Sequence, residues 1–412
     1  MATINDENDL RVVFTTGIIN QSTNDYWIVV DNNIIEYDFK FPLISPKLED
    51  YESTLTARIF GDFGMKMQNC IFNNTIILYK GIRNPKNIFF DNCTFNDRVS
   101  IHGFDTGVIT FSNCTFNKLF DARNAIINGK VRFRECYFKD EAIFRNTRFN
   151  ELADFWRSIF HKKTIFYKTD FINTAVFSAA TFKENVLFTY TLIDKLMILR
   201  GTKIEKGFDL SLAIIKGKLG LFEFNLDNYK GVEFFTDEDR YEKAVSELAV
   251  IPIKNKRETF RILKDNLESQ KNLSESLKFK AVEKDILLAE LKHEKFSVTN
   301  LLNRANLFFN WLSNNHGNSY GRAFFFIIGF GIIFFYFSLI SLERFSFSIT
   351  PCEWASDTSF KYFMEFLNPI HKFDYLGAET MLTNGFYILD FTGKAFIGYG
   401  IYQFIQAFRK YK

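Results

Sequence analysis

The sequence predicts a β-solenoid of about 22 residues per coil, then an α-helical connector and a two-helix transmembrane module. Three observations predict it: a beat of large apolar residues alternating steps of five and six, a switch to helical periodicity after Gly231, and an uncharged run of twenty residues near the C-terminus. With 52 phenylalanines against 6 prolines and 21 glycines, the 412-residue chain can fill a large core and does not read as disordered. That length predicts two or three domains. The opening "MATINDENDL" is acidic and polar, unlike a secretion signal, so the first part to fold is expected in the cytosol.

Residues 1–65 lack the beat and carry "FPLISPKLEDY", expected as an irregular cap closing the first coil. Residues 66–235 are expected to form the solenoid. The beat runs through Phe133, Phe138, Phe144, Phe149, Phe155, Phe160, Phe166, Phe171, Phe177, Phe182 and Phe188, then Ile193, Leu199, Ile204, Leu210, Ile215 and Leu221. No helix or plain strand repeats at eleven residues split in this way, whereas a solenoid returns one side chain inward from each short strand and corner. Two positions earlier the residue is usually small, as at Ala142, Thr147, Ala153, Ser158 and Ala180. Both positions would face inward, with the intervening Lys, Arg, Asp, Glu and Asn in water.

Cys70, Cys93, Cys114 and Cys136 test the coil length independently, being 23, 21 and 22 residues apart. One cysteine per turn stacks at about 4.8 Å. No CxxC or neighbouring histidine supplies zinc spacing, so the column reads as small residues in a slot that Ser158, Ala180 and Thr202 fill later. No metal, cofactor or catalytic residue is assigned. From Phe90 to Leu221 the beat makes about six coils, a rod roughly 30 Å long.

The segments "FDNCTF", "FSNCTF", "FRECYF", "FRNTRF", "FYKTDF" and "FSAATF" resemble the pentapeptide-repeat family. The resemblance implies a right-handed, quadrilateral β-helix with a large apolar residue at the centre of each side and a small one two before it. This chain departs by using Phe where Leu is commoner and by lengthening every second side by one residue. Some soluble members imitate DNA with an acidic surface and bind topoisomerases. Residues 65–235 hold 25 Lys and Arg against 17 Asp and Glu, the wrong sign for a DNA mimic. Nucleic acid is electrostatically allowed but not expected as a partner.

Residues 236–295 are expected to form a helical hairpin connector: "DEDRYEKAVSELAV" and "RETFRILKDNLESQ" flank Pro252, and "SESLKFKAVEKDILLAELKHE" follows a turn at Asn272. Phe260, Leu263 and Leu267 make one stripe, and Phe279, Val282, Ile286 and Ala289 its partner. Residues 296–322 suit an interfacial helix, with Leu301, Leu302, Ala305, Phe308, Phe309 and Leu312 on one side and Arg304 and Trp311 at the boundary.

Residues 323–342 have the length and composition of a transmembrane helix, and 381–408 is a second candidate span. Basic residues flank the outer ends, at Arg304, Arg322, Arg409, Lys410 and Lys412, while the loop 343–380 carries more acid than base. This predicts a multi-pass inner-membrane protein with both termini cytoplasmic and the loop periplasmic. Within that loop, "SFKYFMEFLNPIHKF" reads as an amphipathic helix stopped by Pro369, and Cys352 as a lone thiol or a cross-link between protomers.

Asp390 and Lys394, spaced i, i+4, share a helix face and form the candidate intramembrane pair, either a buried lock or a pore lining. "FIGYG" invites comparison with a potassium filter, but too few residues follow Gly400 for another span, so Gly393, Gly398 and Gly400 read as packing positions in a helix. The tail, "IYQFIQAFRKYK" included, resembles the two-span tail of membrane-bound bacterial pentapeptide-repeat proteins, some of which carry channel-like modules. The five histidines are scattered and no catalytic motif appears, so no enzyme is expected. Two functions follow. In one, a cytosolic solenoid senses a protein or small-molecule trigger and controls a homo-oligomeric pore, such as a stress or phage-defence effector uses. In the other, a non-catalytic binding scaffold is tethered to the bilayer.

Overall fold

The computed structural model describes residues 1–6, 9, 18–20, 26–41, 64–78, 87–102, 105–106, 108–224, 226, 238–342, 357–377 and 381–409. The chain divides into two compact units, Met1–Ile262 and Leu263–Lys412.

Among the described residues of the first unit, short strands wind into four sheets of nine, eight, six and ten strands, one to each side of the coil. From Thr115 onward the pairing is parallel with a register of 22 residues: Phe116 lies beside Phe138, Phe138 beside Phe160 and Phe160 beside Phe182. The rings stack directly, with Phe111, Phe133, Phe155 and Phe177 at centroid spacings of 5.1, 5.2 and 4.8 Å and nearly parallel planes. Neighbouring columns meet edge to face, as Phe144 does Phe155 at 5.5 Å. Each buried ring contributes about 1.5–3 kcal/mol by leaving water, and each good aromatic pair about 0.5–1.5 kcal/mol more.

The alternation of five and six has a backbone cause. A residue with positive φ recurs every eleven positions: Asn113, Asn124, Glu135, Asn146, Arg157, Lys168, Ala179, Tyr190, Gly201, Leu212 and Glu223. Each sits third in a tight four-residue corner, and most of these corners are closed by bonds such as Thr147 N to Phe144 O at 3.1 Å and Ala180 N to Phe177 O at 3.0 Å. These corners carry the five-residue steps. The corners between them lack the left-handed residue and take the sixth.

The small slot is a hydrogen-bonding position as well as a space. Thr147, Ser158, Thr169, Thr191 and Thr202 each donate a hydroxyl to the carbonyl 25 residues back, over 2.5–2.8 Å. Cys93, Cys114 and Cys136 turn their thiols to the equivalent region of the preceding coil, onto the carbonyls of Met67, Phe90 and Phe111 at 3.4–3.5 Å. The four cysteines are buried and free. The Cys93 thiol is pushed up by its neighbour Cys114 and by burial, and Cys114 is pushed up first by burial, so both stay protonated and unreactive. At the exchange point Phe120 takes the slot and Ala122 the central position, both buried, so the pair of volumes is kept.

The irregular cap expected over 1–65 is corrected in part. Ala2–Ile4, Tyr26–Asp31, Asn33–Ile35 and Phe39–Phe41 are solenoid strands that pair in parallel with their neighbours. Trp27 pairs with Gly64 across 37 residues, which hides the beat from a reading of spacing alone. Ile18–Asn20 runs antiparallel to Tyr26–Asp31 and covers that sheet edge. Most of "FPLISPKLEDY" lies outside the described residues.

Among the described residues the last strand is Lys218–Gly220. Helix α1, Glu238–Lys243, a π-helical turn over Ala244–Leu248, and the first half of α2, Ile253–Ser269, pack against the solenoid. Asn185 Nδ2 donates to Ala249 O at 2.8 Å, and Leu210 N to Thr259 Oγ1 at 2.9 Å. Asp209 is wholly buried and accepts from Asn255, Thr189 and the Ser211 backbone; burial nonetheless raises its carboxyl. Much of the expected connector therefore belongs to the solenoid unit.

In the second unit, α3 is Leu273–His293, α4 Val298–Asn314, α5 Tyr320–Ile340, α6 Asp357–Phe366 and α7 Asn384–Phe408. Asn272, Ser297, Ser319 and Thr383 cap α3, α4, α5 and α7 with their side chains. Lys264, at the end of α2, pairs with Glu283 of α3 at 3.0 Å. Of the stripe expected on α3, Ile286 is buried while Phe279, Val282 and Ala289 are half-buried. Among the described residues one helix, Tyr320–Ile340, is long and apolar enough to cross a membrane. The second expected span is helical over Asn384–Phe408, but its polar residues leave its composition short of that mark. Cys352 lies outside the described residues.

Candidate functional site

The seam of α7 is Phe386, Asp390, Gly393, Ile397, Gly400, Gln403 and Ala407, all buried. Steps of three and four put these residues on one face. Against that face lies α5. At Gly400 an added Cβ would come within 2.7 Å of Ile327, and at Gly393 within 3.0 Å of Phe334 and 2.6 Å of Phe366. At those two positions the absent side chain lets neighbouring groups approach α7 closely. Gly398 differs: its added Cβ would meet nothing within 4 Å. Residues 396–400, "FIGYG", are helical throughout.

Asp390 and Lys394 meet, with Nζ 2.9 Å from Oδ2 as an ion pair that lacks a well-directed hydrogen bond. A third residue, His371, completes the group. Its Nε2 lies 2.8 Å from Asp390 Oδ1 and its Nδ1 2.6 Å from the Asn368 carbonyl. The Asp390 side chain is 0% exposed, His371 4% and Lys394 15%.

Local sequence explains how His371 arrives there. Helix α6 stops before Pro369, and Asn368-Pro369-Ile370-His371 forms a turn closed by His371 N to Asn368 O at 3.0 Å, with Asn368 Oδ1 accepting from Ile370 N at 3.1 Å. The 3₁₀ turn Phe373–Leu376 then sets the Tyr375 ring edge-on to His371 at 4.7 Å and the Phe373 ring 3.8 Å from the Lys394 ammonium. Burial, with the charges of Asp390 and Glu365, pushes the Tyr375 phenol up, so it remains neutral.

A second polar cluster sits at the other end of the seam. Asn314 Nδ2 donates to Gln403 Oε1 at 2.5 Å, and Gln403 Nε2 donates to Asn310 Oδ1 at 3.0 Å. These bonds tie α4 to α7. Neither His371 nor Gln403 was legible as a partner, because each lies far in sequence from the residue it meets.

On the solenoid, outward charges pair at the coil repeat. Arg157–Glu135, Arg148–Asp170, Lys163–Glu141, Lys206–Glu184 and Lys216–Asp194 all join residues 22 apart. These pairs neutralise individual charges between neighbouring coils and leave the net basic excess of the segment in place. Among the described residues no group of three or more His, Cys, Asp or Glu is placed to hold a metal ion.

The family described as pentapeptide repeats (9 copies) matches residues 111–159 and 122–170. Residues 111–170 of the solenoid are pentapeptide repeats. The match falls on coils whose four parallel sheets and inward Phe columns agree with it. No curated protein and no solved structure matches the chain.

Proposed function

We propose that this protein is a pentapeptide-repeat scaffold held at a membrane, with α5 and α7 both crossing the bilayer and α4 lying in its surface. One observation carries the two-span reading. Between Phe386 and Phe408 the exposed residues of α7 are Tyr387, Ile388, Phe391, Ala395, Tyr402, Ile405 and Phe408, whereas Asp390 and Gln403 are buried. A helix that hides its polar groups and exposes its apolar ones suits hydrocarbon. Composition misses this because it averages the two faces. Helix α4 exposes Val298, Leu301, Leu302, Phe308 and Trp311 beside Thr299, Asn303 and Asn306, a mixed surface that suits a helix lying at an interface.

Asp390 and Lys394 are engaged with one another and with His371 inside a single chain, which supports an anchor with an internal lock over a pore lining. The solenoid presents repeated short sides with outward side chains at regular intervals, a form that supports partner binding over catalysis. The test is an alkaline carbonate wash of membranes from cells making the full chain. The chain should stay in the pellet, and Phe391→Arg together with Ile388→Lys should release most of it. Recovery of the unaltered chain in the supernatant overturns the reading.

A further inference from the structure

The contacts of His371 call for two ring protons. Asn368 O, at 2.6 Å from Nδ1, is a carbonyl and can only accept. Asp390 Oδ1, at 2.8 Å from Nε2, belongs to a carboxylate whose other oxygen faces the Lys394 ammonium at 2.9 Å, so it too accepts. A neutral imidazole has one N–H and would leave a lone pair facing an oxygen at one of these distances. The ring is closed in by Phe366 and Tyr375, at 5.5 and 4.7 Å, and has little room to turn away.

We propose that His371 is a proton-operated latch: as imidazolium it fastens the segment 367–376 onto α7 through Asp390, and loss of its proton releases that segment. The inference deepens the two-span reading and rests on it for its setting, since there the segment is part of the connection between spans. The other groups at the site do not do this work. From α7 come Asp390 and Lys394, which form the receiving pair. From the 3₁₀ turn comes Tyr375, held neutral, while Asp374 and Lys372 are exposed. From α6 comes Glu365, which acts on Tyr375 through its charge. Helix α5 offers Phe334 and Phe335 on this side, and its charged residue, Arg322, is in the first turn. Among these side-chain types, imidazole is the one that ordinarily changes charge between about pH 5 and 8.

The latch can be read by amide hydrogen exchange on the full chain in detergent micelles. After correction for the intrinsic pH effect, amides of 370–377 should exchange about tenfold faster near pH 8.5 than near pH 5.5, while those of 397–405 hold steady. His371→Gln and His371→Asn should each abolish that difference. Equal corrected rates in the unaltered chain overturn the latch, as does a pH difference that survives in either variant. Should a variant lose protection over 397–405 as well, the unaltered chain decides alone. Failure of the two-span reading shows separately, in the carbonate wash, which does not depend on this segment.

Discussion

In the solenoid, Phe133, Phe155 and Phe177 lie wholly buried in a stack while Arg157 and Glu135 pair at the surface; in the helical unit, Asp390, Gln403 and Asn314 lie inside while Phe325, Ile388 and Phe391 face out. Both units are rich in phenylalanine. The same side chain is core in one and covering in the other, a contrast that the membrane reading proposed above explains by a different solvent for each unit. Water drives rings together along the rod. In the membrane setting proposed above, hydrocarbon would give no such drive between helices, and close glycine packing and polar contacts would hold them instead.

The sharpest way to break this comparison is to truncate one ring in each unit. Phe155→Ala should cost about 3–5 kcal/mol, because the cavity falls inside a stack that cannot collapse. Phe391→Ala, at a site 68% exposed, should change stability very little. Denaturant unfolding of the full chain in detergent, followed by tryptophan fluorescence, reads both; equal losses would refute the inversion. Next in size, Gly393→Val should cost about 1–3 kcal/mol by forcing Phe334 and Phe366 away from α7, whereas Gly398→Ala should be neutral or slightly stabilising, as thermal unfolding of the helical unit within the full chain would show.

Smaller effects sharpen the account of the rod. Thr169→Val keeps the shape but removes the bond to Phe144 O, whose carbonyl still accepts from Thr147 N, so the loss should be about 0.5–1.5 kcal/mol in the unfolding midpoint. Leu212→Gly should instead raise that midpoint, by about 1 kcal/mol, because leucine at φ 57° sits in the left-handed region at a cost glycine does not bear. If the corner geometry were different, this substitution would destabilise.

The beat of Phe133 through Phe188 and the spacing of Cys93, Cys114 and Cys136 were enough to read the coil, since a stacked repeat makes neighbours in space of residues a fixed distance apart in sequence. The left-handed corners were not legible. Asparagine marks several of them, but Glu135, Lys168, Leu212 and Glu223 hold the same conformation because the stack around them imposes it. Coils before Gly64 escaped notice because 37 residues separate Trp27 from its partner. In the tail, the i, i+4 spacing announced Asp390 and Lys394, while His371, nineteen residues from Asp390, needed the turn at Pro369 to bring it back.

The sequence by itself determined the repeat, its length, the inward ring columns and one apolar helix, because each follows from local periodicity and composition. Tertiary structure alone decided which face of α7 carries its polar residues, that Asp390 is shared between Lys394 and His371, and that Gly393 and Gly400, but not Gly398, meet a neighbouring helix. Those outcomes depend on how separate segments pack, and spacing along one helix cannot say which partner its faces will meet.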